Sequence, residues 1–315
     1  MQLIQINHAS DSDQRVDKFL KKYLPNASLG SIYKWLRTGK IKVNKKKVDQ
    51  TYRLEIDDEI QLHFHEEEMK MMQLEEKNEK NISPITLEVL YEDEFLMVIN
   101  KPAGINVHPG DHKTSEVSLI ELIHDQLDGR YDSLSFRPSL VHRIDRDTSG
   151  AILIAKEKKT LEILLSLLQT GKIEKIYHAI VIGKPPKPRN TITAKLERRE
   201  NAKDEAKVIV SPNGQEAITH YTTIKENIHE KYSLLECRIE TGRTHQIRVH
   251  MAHEGMPILG DKAYGNLREN SFAKKNYGIE RQLLHAYSLT FLHPILQKAM
   301  QITAPYPKDF RDIIS

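Results

Sequence analysis

His142-Arg143-Ile144-Asp145-Arg146-Asp147-Thr148-Ser149-Gly150 packs two arginines, two carboxylates and a turn into nine residues, and Ala151-Ile152-Leu153-Ile154-Ala155 follows at once. A short apolar run bounded by turn residues reads as a strand buried on both faces. The charged segment is then a loop held at the mouth of a core strand, where scaffolds usually carry chemistry. Asp145 lies two residues from Arg143 and next to Arg146. Nearby positive charge favours an ionised carboxylate, and such a group suits a nucleophile or a base. Asp-Thr-Ser-Gly is also ordinary turn composition. These nine residues alone leave a catalytic and a structural reading both open.

Working outward, the chain from residue 85 reads mostly as consecutive strands. Leu87–Tyr91 and Phe95–Ile99 flank the polar turn Glu92-Asp93-Glu94, a hairpin signal. Further strand candidates fall at 175–182, 190–196, 206–211, 217–225, 232–240, 286–292 and 299–304. One clear helix follows the core strand: Leu161, Leu164, Leu165 and Leu168 share a face and Gly171 stops it. Many strands with few helices predict an α+β domain with a mainly antiparallel sheet.

Toward the N-terminus the pattern changes. Val16, Phe19 and Leu20 have helical spacing. Ser28 caps a second helix with Ile32, Trp35 and Leu36 inward and Gly39 as its stop. Ile41–Asn44 alternates as a half-buried strand before a lysine-rich turn, and Ile56–Leu62 is another turn and strand. Residues 15–53 hold 12 Lys and Arg against 2 acidic residues, although the whole chain carries only +3. Such local density suits an anionic polymer, with a solvated charged face as the plain alternative. Residues 66–84 are charged and end at Pro84, which reads as a linker, partly helical or disordered. The organisation is therefore a small α/β unit over 1–65, a linker over 66–84 and a larger domain over 85–315.

The bulk numbers agree. A length of 315 residues suggests about two domains, and 39% hydrophobic residues can build an ordinary core. Cys237 is the sole cysteine, so no internal disulfide forms and a reducing compartment is expected. The start lacks the basic and apolar regions of a signal peptide. No apolar run approaches the roughly 20 residues needed to span a bilayer. The expectation is a cytoplasmic protein with no membrane partner, and nothing in the sequence demands more than a monomer.

His142–Gly150 resembles the catalytic motif of the RluA-type pseudouridine synthases. Four more segments match that family in order: Asn100–Gly104 with Val107-His108-Pro109, Lys175–Val181, Thr241–His250 and Leu284-His285-Ala286. Five ordered motifs are specific where any one would be weak. The resemblance implies a mixed, mainly antiparallel sheet split by a cleft that admits RNA, with no metal or redox cofactor. It makes Asp145 the catalytic carboxylate. Asp147 competes on composition, and only the motif register separates them. Tyr177 would stack on the target uracil; as a base it is less suited, since a phenol titrates near 10. Arg248 would face the cleft and pair with Asp145: read as a strand, 243–250 puts Ile247 and Val249 on the core side and Arg248 on the other. Arg143 would fill the space left by an extruded nucleotide. The N-terminal unit resembles an S4-type RNA-binding domain, which sets Lys34, Arg37, Lys40, Lys42 and Lys45 against phosphates.

The expected function is isomerisation of uridine in RNA. Because an S4-like unit accompanies the ribosomal large-subunit members of the family, 23S rRNA or an assembling large subunit is the expected partner. The alternatives are a synthase acting on tRNA and a non-catalytic rRNA-binding assembly protein. A metal site from His245, His250 and His253 is disfavoured: in a strand the first two fall on opposite faces, and no cysteine or spaced acid completes a set. The loop Gly260–Gly265 is given no chemistry.

Overall fold

The structure is a computed structural model that describes residues 1–73, 85–109, 117–200 and 206–315. The first part contains β1 (Gln2–Gln5), α1 (Val16–Tyr23), α2 (Leu29–Thr38), β2 (Ile41–Val43), β3 (Glu59–Leu62) and α3 (Glu66–Gln73). The strands form one sheet in the order β1-β3-β2. Val16, Phe19, Leu20, Ile32 and Leu36 pack onto Ile41, Val43, Ile60 and Leu62 in a core of their own. The local signals work as read. Ser28 Oγ accepts from the Ser31 N–H at 3.1 Å, and Gly39 ends α2 at φ +82°, where a side chain would be strained. β1 was not read from the sequence; it pairs antiparallel with β3, Gln2 opposite Leu62. Of the charged stretch 66–84, Glu66–Gln73 is helical and tucks Met69 into the small core. The remainder, 74–84, lies outside the described residues.

The larger part runs β4 (Glu88–Glu92), β5 (Leu96–Lys101), α4 (Leu119–Leu127), β6 (Ser139–Leu140), β7 (Ser149–Ala155), α5 (Lys158–Gln169) and β8 (Glu174–Ile182). It continues with β9 (Arg189–Glu200), β10 (Ala206–Val210), β11 (Gln215–Ile228), β12 (Tyr232–Ile239) and α6 (Gln246–His253). It closes with α7 (Leu267–Tyr277), β13 (Leu284–Leu292), β14 (Ala299–Thr303) and α8 (Lys308–Ile314). An 11-stranded sheet has the path β10-β9-β11-β12-β8-β13-β7-β5-β4, with β14 on β13 and β6 on β7. Neighbours are antiparallel except β13 and β7, which are parallel over His285–Ser149 and Ala286–Gly150. That short ladder is a close approach: a Cβ on Gly150 would lie 2.2 Å from the Ala286 carbonyl oxygen, and φ there is +115°. The α+β class and the mainly antiparallel sheet are thus as expected.

β7 is buried along its whole length. Ile152 and Ile154 join the cluster that holds Tyr177 and Ile247. Ala151, Leu153 and Ala155 face the other way, onto Leu164 of α5. Both faces are apolar because both are covered, which is why the run lacks alternation.

One local expectation is overturned. Residues 246–253 form the helix α6, not a strand. Gln246 through Met251 are all buried. A helix buried all round has no polar face, so its 3.6-residue period is invisible in sequence. Its polar side chains are satisfied inside: Gln246 Nε2 donates to the Ile218 carbonyl at 2.9 Å, and His250 Nδ1 lies 2.9 Å from Thr219 Oγ1.

The two parts are joined at Asp11. This carboxylate, 1% exposed, accepts from the hydroxyls of Ser133 and Ser135 and the N–H groups of Leu134 and Ser135. Gln14 Nε2 adds a bond to Ser135 Oγ at 2.8 Å, and Lys158 Nζ reaches the Ser12 carbonyl at 3.2 Å.

Candidate active site

The charged loop 142–148 enters β7 under several restraints. His142 Nε2 accepts from the Leu153 N–H at 3.2 Å, and burial holds its pKa down to about 3, so the ring is neutral. Lys101 Nζ donates to the carbonyls of Pro102, Ile105 and Arg146, each at 2.8 Å. Burial pushes this lysine down to about 7, yet three acceptors need three N–H donors, so the geometry describes the ammonium. Arg281 Nη1 donates to the Asp147 carbonyl at 3.0 Å. The loop is therefore preorganised through its backbone carbonyls and the His142 ring.

At its centre Arg248 Nη1 donates to Asp145 Oδ2 at 3.1 Å. The same guanidinium binds Asp261 through Nε at 2.8 Å and Nη2 at 3.0 Å. Burial alone would lower the Arg248 pKa; the bonds to Asp261 and then Asp145 outweigh it and hold the charge firmly in place. Tyr264 lies beneath, 5.1 Å from ring centre to Cζ. Its hydroxyl accepts from the Val208 N–H at 3.0 Å and lies at hydrogen-bonding distance, 2.9 Å, from His245 Nδ1. The two acids are not equivalent. Asp261 is 1% exposed and also accepts from the Ala263 and Tyr264 N–H groups. The Asp145 side chain is 23% exposed, and among the described residues Arg248 is its one hydrogen-bond donor. Asp145 is the acid with an oxygen to spare.

Tyr177 on β8 lines the same cleft as Asp145 and Arg248, together with Arg143, Lys175, Arg243, His245 and Leu284. Burial, then the Asp145 charge, pushes its phenol pKa far above the ordinary value. It is a neutral hydroxyl throughout the physiological range and cannot store a proton taken from carbon. Asp147 does not line the cleft; it pairs with Arg146 at 3.3 Å on the surface. Asp145, Tyr177, Arg248 and Arg143 are thus brought together, by a loop, a strand and a helix.

The sequence profile described as RNA pseudouridylate synthase matches residues 95–253, and that of the S4 domain matches residues 14–60. A ribosomal large subunit pseudouridine synthase C from Buchnera aphidicola (subsp. Schizaphis graminum) is 36% identical over 96% of this chain and 93% of its own. The chain belongs to the RNA pseudouridylate synthase family.

Within that family the protein of the same name from Vibrio cholerae is 34% identical over 93% of this chain and 89% of its own. The solved human RNA pseudouridylate synthase domain containing 1 shares the fold, with a TM-score of 0.58 at 21% identity over 70% of this chain and 84% of its own. The enzyme class follows: a pseudouridine synthase, an isomerase acting on RNA. Lys34, Arg37, Lys40, Lys42 and Lys45 are not among the residues that line the cleft. Lys34, Arg37 and Lys45 are exposed and Lys42 is half-buried. Lys40 is tied inward, 3.5 Å from Glu68 and over the Phe64 ring.

Sequence reasoning missed Asp261. It sits in the glycine-flanked loop given no chemistry, 13 residues from its partner, and nothing local announces the pairing. The usable signal was indirect: an arginine among buried apolar neighbours needs more acid than one carboxylate open to solvent supplies.

Proposed function

We propose that this enzyme converts specific uridines of 23S rRNA to pseudouridine, with Asp145 as the carboxylate acting at the ribose. The observation that carries the reading is the half-open Asp145 carboxylate held at 3.1 Å from a guanidinium that is itself anchored to Asp261. An ionised acid with a free oxygen in a partly desolvated cleft is ready to act on C1′ or C2′. The C1′–N1 bond breaks with its electron pair on uracil. The base turns, C5 bonds to C1′, the C5 proton leaves and N1 gains one, so atoms balance without a redox partner. Tyr177 packs on the uracil as a neutral ring. A duplex uridine is reached only after extrusion, which costs a few kcal/mol, and the exposed Arg143 guanidinium stacks into the gap.

The ribosomal substrate is supported by the names of the similar proteins and by the basic N-terminal unit, 12 cations against 2 acids over residues 15–53. Residues 1–65 grip phosphates through Lys34, Arg37, Lys42 and Lys45, with Lys40 once released from Glu68. Residues 85–315 carry the chemistry, on one copy of the chain. Tritium release from C5-labelled uridine in 23S rRNA transcripts tests this. The wild type should release tritium, and Asp145→Asn should release none while still binding RNA. An active Asn variant would remove Asp145 from its role; release from tRNA alone would redirect the substrate.

A further inference from the structure

Lys175 is a half-buried cation that has no partner among the described residues. It lies on β8 two residues before Tyr177, so the two side chains leave the strand on one face. Both line the cleft with Asp145, Arg143 and Arg248. The ammonium lies by Gly242, where an added Cβ would sit 3.9 Å from Nζ.

Other cations of the larger part that are more deeply or equally enclosed are engaged. Lys101 holds three carbonyls, Lys156 binds Glu92, the Asp93 carbonyl and the Tyr131 hydroxyl, and Arg248 and Arg281 each grip a carboxylate in a fork. Among the described residues the Lys175 ammonium has no hydrogen bond or ion pair. Burial lowers its pKa, the mark of a charge removed from water without compensation. Such an arrangement costs stability and is relieved when a ligand brings the missing acceptor.

We propose that Lys175 is a catalytic residue whose ammonium donates to a carbonyl oxygen of the target uracil and stabilises the negative charge that builds there as the C1′–N1 bond breaks. This rests on the synthase reading and on Tyr177 lying against the base. Successive same-face residues on a strand are about 7 Å apart. A lysine side chain spans that gap, so the edge of a ring packed on Tyr177 falls within its reach. Departing uracil carries the electron pair of the broken bond over N1, O2 and O4. A cation preplaced at one of those oxygens, in a site with little water, lowers the barrier. Lys175 gains and loses no proton in the step.

The test uses full-length enzyme and an rRNA fragment carrying uracil or 5-fluorouracil at the target position. Fluorine makes the departing base a weaker base and so replaces part of the cation's work. Fluorouracil has no C5 proton to lose, so both substrates are read at the earlier cleavage step, as disappearance of the N1-linked nucleoside in chromatographed nuclease digests after a single turnover, where Lys175→Met should lower the uracil rate about 100-fold. RNA affinity should change less than about threefold. The deficit should shrink to about tenfold on the fluorinated substrate, and Lys175→Arg should recover most of the rate. Thermal melting checks that each variant folds. A Met variant with wild-type rate, a loss confined to affinity, or equal deficits on both substrates overturns the proposal. An inactive wild type would instead sink the synthase reading, and this proposal with it.

Discussion

Arg248 is held by two carboxylates of unequal standing, and the inequality divides stability from chemistry. Asp261 is sealed and accepts four hydrogen bonds; Asp145 is half-open and accepts one. Removing one partner of a buried pair costs about 3–5 kcal/mol, because the other charge is stranded. Asp261→Ala should therefore lower the melting temperature markedly and misplace Arg248, with activity falling on the order of 100-fold. Asp145→Asn should abolish activity with a melting temperature within a few degrees of wild type. Calorimetry and tritium release on the two variants separate the effects; the reverse ranking in stability would mean that Asp145 is the structural acid. The composition of His142–Gly150 could not choose between Asp145 and Asp147. In the fold the two differ in direction: Asp145 points at Arg248 and Asp147 turns outward to Arg146, which supports the proposal for Asp145.

At the scale of elements, the site stands on three pieces distant in sequence. The loop before β7 supplies the acid, β8 the phenol and α6 the guanidinium. β7 and β8 were readable because each carries a short apolar run; β8, like β7, is covered on both faces, from Tyr177 to Val181. α6 left none, since its polar residues are paired inside the molecule rather than turned to water. The contact at Asp11 is also element-scale. Four donors converge on one buried carboxylate, so Asp11→Ala leaves several polar groups unsatisfied at about 1–3 kcal/mol each. Amide exchange at Leu134 and Ser135 should speed up in that variant. Turnover on a long rRNA substrate should fall more than on a short hairpin, because the basic unit is no longer fixed relative to the cleft. Unchanged exchange would mean that the contact does not hold the two parts together.

For the whole molecule two solution properties follow. The His142, His178, His250 and His285 side chains are lowered by burial, to about 3 for His142 and about 4 for the others. Unfolded, each binds a proton near 6.5, so below that pH the unfolded chain holds more protons than the fold. Stability is full above about 6.5 and is lost as pH falls toward 4, at roughly 2 kcal/mol each by pH 5 for the fully buried His250 and His285. Melting scans from pH 8 to 4 should show that decline, and Thr219, which bonds His250, offers no escape from it. A flat profile would mean that those rings are already charged in the fold. The second property is salt dependence. Replacing Lys34, Arg37 and Lys45 by Ala should weaken RNA binding and flatten the plot of log affinity against log salt by about 0.7–0.9 per lost phosphate contact. An unchanged slope would show that this face does not meet the backbone.

The α+β class, the covered core strand, the two helices of the small basic unit and the family were legible in the residues alone, because each depends on local periodicity, on capping or turn residues, or on motifs read in order. Packing alone sets Arg248 on a buried helix, anchors it to Asp261, turns Lys175 to the cleft with no partner among the described residues and fastens the two parts together at Asp11. The pairings among these join side chains up to 124 residues apart. A charge in a linear string carries no mark of whether its counterpart lies across a cleft, and that choice is made by packing, which excludes water from one carboxylate and leaves it on another.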